Sequence, residues 1–210
     1  MKRDFAESFS LSLHPILIPI YSLLFIFVLP IFEVKSLGFD FQIYIISVVF
    51  ATTFLLPMLS LLFLKRLNVI SSVYISDRKE RNIPYLMMLS YYAITTYIFY
   101  RIEFMPTIIT LVVAIAGAGS LILFLFNLRL KVSAHAMSMG GLIALLSLLM
   151  YFYELKILIP LLVAILLAGI VIASRIYLKS HTWTEIIIGF FVGILLSFSI
   201  GYYLLAPLFA

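Results

Sequence analysis

Seven long stretches of this chain contain no Asp, Glu, Lys or Arg, and this spacing of charge constrains the fold more than any other feature. Each stretch is 18 to 25 residues long, and an α-helix needs about 20 apolar residues to cross the hydrocarbon core of a bilayer. The stretches are continuous rather than alternating in hydrophobicity, which favours helices over strands. They occupy 8–32, 41–64, 82–100, 104–128, 132–153, 157–174 and 186–210.

The pattern predicts an all-α, polytopic transmembrane helical bundle of about seven spans. Six spans are possible, because 82–100 carries Ser90, Thr95, Thr96 and several tyrosines and would also suit the membrane interface. We expect 8–32 to be a retained span rather than a cleaved signal peptide, since it lacks a small-residue cleavage site.

Composition supports a membrane protein. Of the 210 residues, 65% are hydrophobic and 11% charged, whereas a soluble domain carries about 25% charged residues. The longest polar connection, about 65–83, is too short for a core of its own. We therefore expect a single integral membrane domain over 1–210, with no soluble domain, crossing the cell (inner) membrane several times. The net charge of +5 fits loop cations beside a membrane and not a nucleic-acid partner, and the absence of Cys excludes thiolate chemistry.

The cations are distributed unevenly. With seven spans, the N-terminus and the loops after every second span lie on one side of the membrane, and that side holds eleven of the fourteen Lys and Arg residues. Such an excess ordinarily marks the cytoplasmic side. The eleven are Lys2, Arg3, Lys65, Arg66, Arg78, Lys79, Arg81, Arg129, Lys131, Arg175 and Lys179.

Three polar segments on this side, 76–84, 129–136 and 174–185, are the predicted site-forming loops. Together they offer cations, hydroxyls, a carboxylate and two of the three histidines, His135 and His181. The third histidine, in the first apolar stretch, has no evident partners in the sequence.

These residue types suit phosphoryl transfer. Arg side chains, serines and helix N-termini bind phosphate, and Arg175 can contact two of its oxygens at once. Imidazole acts as a nucleophile or a general acid at neutral pH. His181 and Glu185 are four residues apart, so on one helix face the carboxylate can orient the ring. His135 could then protonate the leaving oxygen of a phosphohistidine-forming reaction.

The segment SRIYLKSHTWTE at 174–185 resembles the third motif of the type-2 phosphatidic acid phosphatase family, S-R-x-x-x-x-x-H-x-x-x-D, and SAH at 133–135 resembles its S-G-H motif. The resemblance implies a membrane phosphatase that acts on lipid phosphates without a metal or other cofactor. It assigns His181 as nucleophile and His135 as the acid for the leaving group. It also implies that Ser133 and Arg175 bind phosphate and that Glu185 orients the nucleophile.

The chain departs from these two motifs at three positions. Glu185 replaces Asp, Ala134 replaces Gly, and Val132 replaces Pro. None of the three changes removes a reacting group.

The first motif of the family, K-x-x-x-x-x-x-R-P, is degenerate here. Anchored on Pro84, it would require Lys at Ser76 and Arg at Ile83. The nearby cations are instead Arg78, Lys79 and Arg81. We expect these three to bind the same anion.

Several of these residues also have structural explanations. Thr182 and Glu185 fit a capping box, and Ser133 fits a helix N-cap. The cations of 76–84 could be a positive-inside or lipid-headgroup cluster. The pair at 140–141 and the G-x-x-x-G spacing of 189–193 predict close helix packing.

The expected substrate is a phosphomonoester or diphosphate of a membrane lipid or polyprenyl carrier, with phosphate or vanadate able to occupy the site. A catalytically inactive relative acting as a lipid-binding or assembly protein is the main alternative. A transporter is less favoured, because the seven stretches carry no Asp, Glu, Lys or Arg that could line a path. The lipid, the side of the membrane and the oligomeric state stay open.

Overall fold

The computed structural model describes residues 3–72, 75 and 77–210. Lys2 and Ser76, which entered the sequence considerations, lie outside the described residues. No described residue lies in a strand, and the all-α prediction is confirmed for this part of the chain.

The helices follow one another with short connections. In chain order they are α1 Arg3–Ser12, α2 Ile18–Val28, α3 Phe32–Lys35, α4 Phe39–Phe50, α5 Leu56–Arg66, α6 Asn82–Tyr100, α7 Thr107–Asn127, α8 Ala134–Phe152, α9 Leu158–Tyr177 and α10 Trp183–Leu205. A π-helical segment, Ala51–Leu55, joins α4 to α5, and 3-10 turns occupy Lys79–Arg81 and Ala206–Leu208.

Within the described residues, five helices are long and apolar enough to cross a membrane, so the chain is a membrane protein. They are Phe39–Arg66, Thr107–Asn127, Ala134–Phe152, Leu158–Tyr177 and Trp183–Leu208. The predicted count of about seven spans is not confirmed.

The two other predicted spans, 8–32 and 82–100, are not among these five helices, and the physical reason differs between them. The stretch 8–32 is split, because Pro15 lies in the break between α1 and α2 and a proline can neither donate to nor fit within a helix interior. α2 has only 11 residues, about 16 Å at 1.5 Å per residue, against a hydrocarbon core of about 30 Å. α6 has 19 residues but includes the polar and tyrosine side chains noted above, and it is not among the five.

Two compact units make up the chain. One consists of the residues up to Ile18 with Val132–Ala210, and the other of Pro19–Lys131. In the second unit α6 packs closely on α7, where a Cβ at Gly117 would lie 3.1 Å from the Cβ of Tyr92.

In the first unit, α8 and α10 lie side by side along nearly their whole length. Successive contacts involve higher residue numbers on both helices. Gly189 of α10 faces the Ser133 carbonyl, Gly193 faces the Met137 carbonyl, and Ser197 faces Gly141. Residue numbers therefore rise in the same direction on both helices, which are parallel.

Glycine makes this close approach possible. A Cβ on Gly193 would overlap the carbonyl oxygen of Met137, and one on Gly140 would overlap that of Phe190. Small residues at a helix interface let backbones approach closely inside a membrane. The predicted packing role of 140–141 and 189–193 is confirmed. It follows that α8 and α10 begin at the same end of the unit, where antiparallel α9 ends.

We expect Gly193→Ala to destabilise the protein, because its methyl group must push α8 and α10 apart. Overpacking of this kind costs about 1–3 kcal/mol, and a lower midpoint of thermal unfolding in detergent would report it. Gly169→Ala is the matched control, since Gly169 is exposed on α9 and a Cβ there meets nothing within 4 Å. Equal midpoints for the two variants would contradict the packing role.

Candidate active site

The C-terminus of α9 turns the chain back within a few residues. Lys179 adopts a left-handed conformation with φ 52°. The amide of Ser180 donates to the Arg175 carbonyl at 3.1 Å, and that of Lys179 to the Ile176 carbonyl at 2.9 Å. These two bonds form a Schellman cap. Because α10 begins at Trp183, the cap brings Arg175 and the start of α10 to the same end of the unit.

His181 and Glu185 form the central contact of the site. Nδ1 of His181 lies 2.8 Å from Oε2 of Glu185. The two side chains are 4% and 17% exposed, so the pair is largely removed from water. A carboxylate at Nδ1 holds the ring in one orientation and directs its other nitrogen, Nε2, away from the pair.

Glu185 also caps the helix. Its Oε2 accepts from the Thr182 amide at 3.3 Å, and its own amide donates to Oγ1 of Thr182 at 3.4 Å. The sequence left capping and histidine orientation as alternatives. The same carboxylate performs both.

Ser133 joins the start of α8 to the first turn of α10. Its amide donates to the Glu185 carbonyl at 3.2 Å, and its Oγ accepts from the Ala136 amide at 3.3 Å. The N-cap interpretation is therefore correct for this fully buried serine. Its predicted role as a phosphate ligand stays a prediction.

His135 and Arg175 meet at Ser10 of the N-terminal helix. Nη1 of Arg175 donates to Oγ of Ser10 at 2.8 Å. Nε2 of His135 lies 3.0 Å from the Ser10 carbonyl oxygen and 3.3 Å from its Oγ. Both His135 and Ser10 are buried. Ser10 was not predicted to belong to the site.

His14 also lies in this cluster, and the expectation that it has no partners is wrong. Its ring packs edge-on against that of His135, with centroids 5.1 Å apart and planes at 84°. Its Nδ1 is 3.4 Å from the Ile16 amide. The one local signal in the sequence is the four-residue spacing of Ser10 and His14.

The charge state of His14, which lies outside the candidate spans, follows from its surroundings. Burial and, secondarily, the nearby charge of Arg175 lower the pKa of His14 from 6.5 to about 4. The ring is therefore neutral at pH 7, so it adds no charge beside the Arg175 guanidinium.

The cations of the degenerate first motif belong to the second unit. Nε of Arg81 donates to the Ile75 carbonyl at 2.9 Å, and Lys79 is exposed. Nη1 of Arg78 is buried and has no hydrogen-bond partner among the described residues. Asn127 fixes this segment to the end of α7, since its Nδ2 donates to the Arg78 carbonyl at 2.8 Å. Their role as phosphate ligands stays a prediction.

The first unit thus carries, at one end of three packed helices, an imidazole–carboxylate pair, a second imidazole and a guanidinium. Arg175 and His181 both lie close enough to act electrostatically on His135. Among the described residues, no group of three His, Asp or Glu side chains could hold a metal ion. This combination defines a helical membrane protein with a site suited to an anionic substrate.

Comparison with known families agrees with this class. The family model of the PAP2 superfamily matches residues 124–206, which include His135, Arg175, His181 and Glu185. The match confirms the resemblance of the two motifs and is consistent with a member of the type-2 phosphatidic acid phosphatase family. Members of this superfamily are generally phosphatases, and the match supports a hydrolase. No curated protein and no solved structure matches the chain.

The lowered pKa of His14 predicts a pH dependence of stability. Below pH 6.5 the unfolded chain binds a proton at His14 that the folded chain does not bind until about pH 4. The contribution of His14 to the free energy of unfolding is thus fully present above pH 6.5. It is lost as the pH falls toward 4, and the loss is at most about 3 kcal/mol.

Thermal unfolding between pH 4 and 7 tests this expectation. The unfolding midpoint of His14→Gln should fall less than that of the wild type over this range, because glutamine does not titrate. Parallel curves for the two proteins would contradict it.

Proposed function

We propose that the protein is a membrane-embedded phosphatase that hydrolyses a phosphomonoester or diphosphate of a lipid or polyprenyl carrier. The reaction proceeds through a phosphohistidine intermediate and needs no metal. The 2.8 Å contact between Nδ1 of His181 and Oε2 of Glu185 carries the proposal. It orients the ring so that Nε2 is the nitrogen available for attack.

In the first step, Nε2 of His181 attacks the phosphorus atom. The new N–P bond forms as the P–O bond to the leaving group breaks. Positive charge develops on the ring, and the carboxylate of Glu185 stabilises it through the Nδ1–H hydrogen bond. A partly buried pair is effective here because water screens it little.

His135 enters the first step as the imidazolium, protonated on both nitrogens, and gives one proton to the leaving oxygen, so the ring is neutral when the step ends. In the second step the same imidazole takes a proton from water, whose oxygen attacks the phosphorus atom. The N–P bond then breaks, inorganic phosphate leaves and His181 is restored. The bond from the Ser133 amide to the Glu185 carbonyl, which joins the segments that carry His135 and His181, supports this division of roles.

The phosphoryl oxygens require positive charge. Arg175 lies in the last turn of α9, one capped turn away from His181. The N-terminus of α8, which Ser133 caps, adds amide donors and the positive end of a helix dipole. That Arg78, Lys79 and Arg81 also bind phosphate stays a prediction from the sequence.

The membrane setting supports a lipid substrate. Arg175 and His181 lie at the ends of two helices, Leu158–Tyr177 and Trp183–Leu208, that are long enough to span a bilayer. The ends of such helices lie at the depth of lipid headgroups. A headgroup phosphate could therefore reach the site while its acyl or prenyl chain stays in the hydrocarbon layer.

A catalytically inactive, lipid-binding relative is the second candidate. The degenerate first motif favours it, because no Lys or Arg occupies the family positions Ser76 and Ile83 before Pro84. The retention of both histidines and Arg175 favours an enzyme.

Phosphate release tests the function. Purified protein in EDTA should release phosphate from at least one of phosphatidate, phosphatidylglycerol phosphate and a polyprenyl diphosphate. His181→Ala should abolish release, and vanadate should inhibit it because its trigonal-bipyramidal adduct mimics the transferring phosphoryl group. No release from any substrate, or an undiminished rate in His181→Ala, would falsify the mechanism.

Glu185→Gln should separate charge from capping. Glutamine can still accept a hydrogen bond from the Thr182 amide but cannot stabilise a positive ring, so we expect kcat to fall by about a hundredfold or more. Thr182→Ala is the matched variant: it removes the cap hydroxyl, at about 1 kcal/mol of stability, and leaves the carboxylate in place. If both variants lost the same fraction of kcat, Glu185 would act only as a cap.

A further inference from the structure

The N-terminal helix contributes a hydroxyl to the same end of the unit as the two histidines. Oγ of Ser10 accepts a 2.8 Å hydrogen bond from Nη1 of Arg175 and lies 3.3 Å from Nε2 of His135. Ser10 is 165 and 125 residues away from these partners in the chain. Its side chain is thus a direct link between the end of α9 and the start of α8.

The packing of α1 on α9 places Ser10 there. α1 packs on α9 with Ala6 and Ser10, four residues apart, buried on one face. The opposite face carries Asp4, Ser8 and Leu11, which are exposed. A helix with one buried and one solvated face has a defined rotation, and that rotation aims Ser10 at Arg175.

The bond to Ser10 fixes the guanidinium. An Arg side chain rotates about several bonds and loses considerable entropy when it is ordered. A guanidinium has five N–H donors, and the bond to Ser10 uses one of them. A guanidinium that is ordered before phosphate arrives binds phosphate more tightly, because that entropy has already been lost.

The main chain of Ser10 acts on His135. A carbonyl oxygen can only accept, so the 3.0 Å contact places a proton on Nε2 of His135. The ring of His14, packed edge-on against His135, restricts its rotation further. The same short segment therefore sets both the orientation and the tautomer of this imidazole.

We propose that Ser10 is a positioning residue of the phosphate site. Its hydroxyl holds the Arg175 guanidinium, and its carbonyl holds the His135 imidazole, in the arrangement that receives phosphate. The proposal rests on the proposed function for the identity of the ligand. Because Ser10→Ala removes the hydroxyl and keeps the carbonyl, phosphate affinity should suffer more than the chemical step.

Vanadate binding and phosphate release by purified full-length protein test this role. For Ser10→Ala we expect the vanadate Kd, measured by titration calorimetry, and the substrate KM to rise about tenfold, the typical effect of one hydrogen bond to a charged group. The value of kcat should change less. Ser8→Ala is the matched control, since Ser8 is an exposed serine on the same helix, and its constants should stay within about twofold of wild type.

Two results would overturn the proposal. An unchanged vanadate Kd in Ser10→Ala would leave Ser10 a packing residue, whatever its effect on the unfolding midpoint. Tighter vanadate binding or faster release would mean that α1 blocks the site instead of organising it. Ser10→Thr, which keeps a hydroxyl, should recover at least part of the lost affinity if the bond to Arg175 is responsible.

The binding measurement also separates this proposal from the proposed function. Vanadate binding requires no turnover, so a wild-type protein that releases no phosphate but binds vanadate would disprove the enzyme while the Ser10→Ala comparison still decided the role of Ser10. A wild-type protein that bound no vanadate would overturn the positioning role as well.

Discussion

The close contact between α8 and α10 is the interaction on which the candidate site depends. Lipid tails are as apolar as leucine, so helices in a bilayer associate through packing and hydrogen bonds rather than through the hydrophobic effect. Gly189 and Gly193 let the backbones approach until the Ser133 amide reaches the Glu185 carbonyl. That bond joins the first turns of both helices. The His181–Glu185 contact at the start of α10 and His135 at the start of α8 are thereby held at one end of the unit.

Contacts between residues close together in the sequence could be predicted, whereas contacts between residues far apart in the sequence could not. The contact of His181 with Glu185 follows from a four-residue spacing, and the caps follow from residues at fixed offsets. Ser10 contacts residues more than a hundred positions away, and such contacts leave no local pattern. His14 was missed for the same reason. The one local signal was the four-residue spacing of Ser10 and His14.

The predicted count of about seven spans is not confirmed, because absence of charge was taken as continuity of an apolar helix. The stretch 8–32 has no charged residue, yet a break that contains Pro15 divides it into two short helices. α6 is continuous, but its tyrosines and threonines make it less apolar than the five candidate spans. The all-α class itself was predictable, because 65% hydrophobic residues in long unbroken stretches leave few other solutions.

The link between Ser10 and Arg175 has a consequence for biosynthesis. Ribosomes add roughly 5–20 residues per second, so the 165 residues between these partners take on the order of 10–30 s to synthesise. During that time α1 has no α9 to pack against Ala6 and Ser10. An amphipathic helix of this kind can lie in the headgroup layer meanwhile. The hydrogen bond between Ser10 and Arg175 therefore forms only after α9, near the end of the chain, has been made.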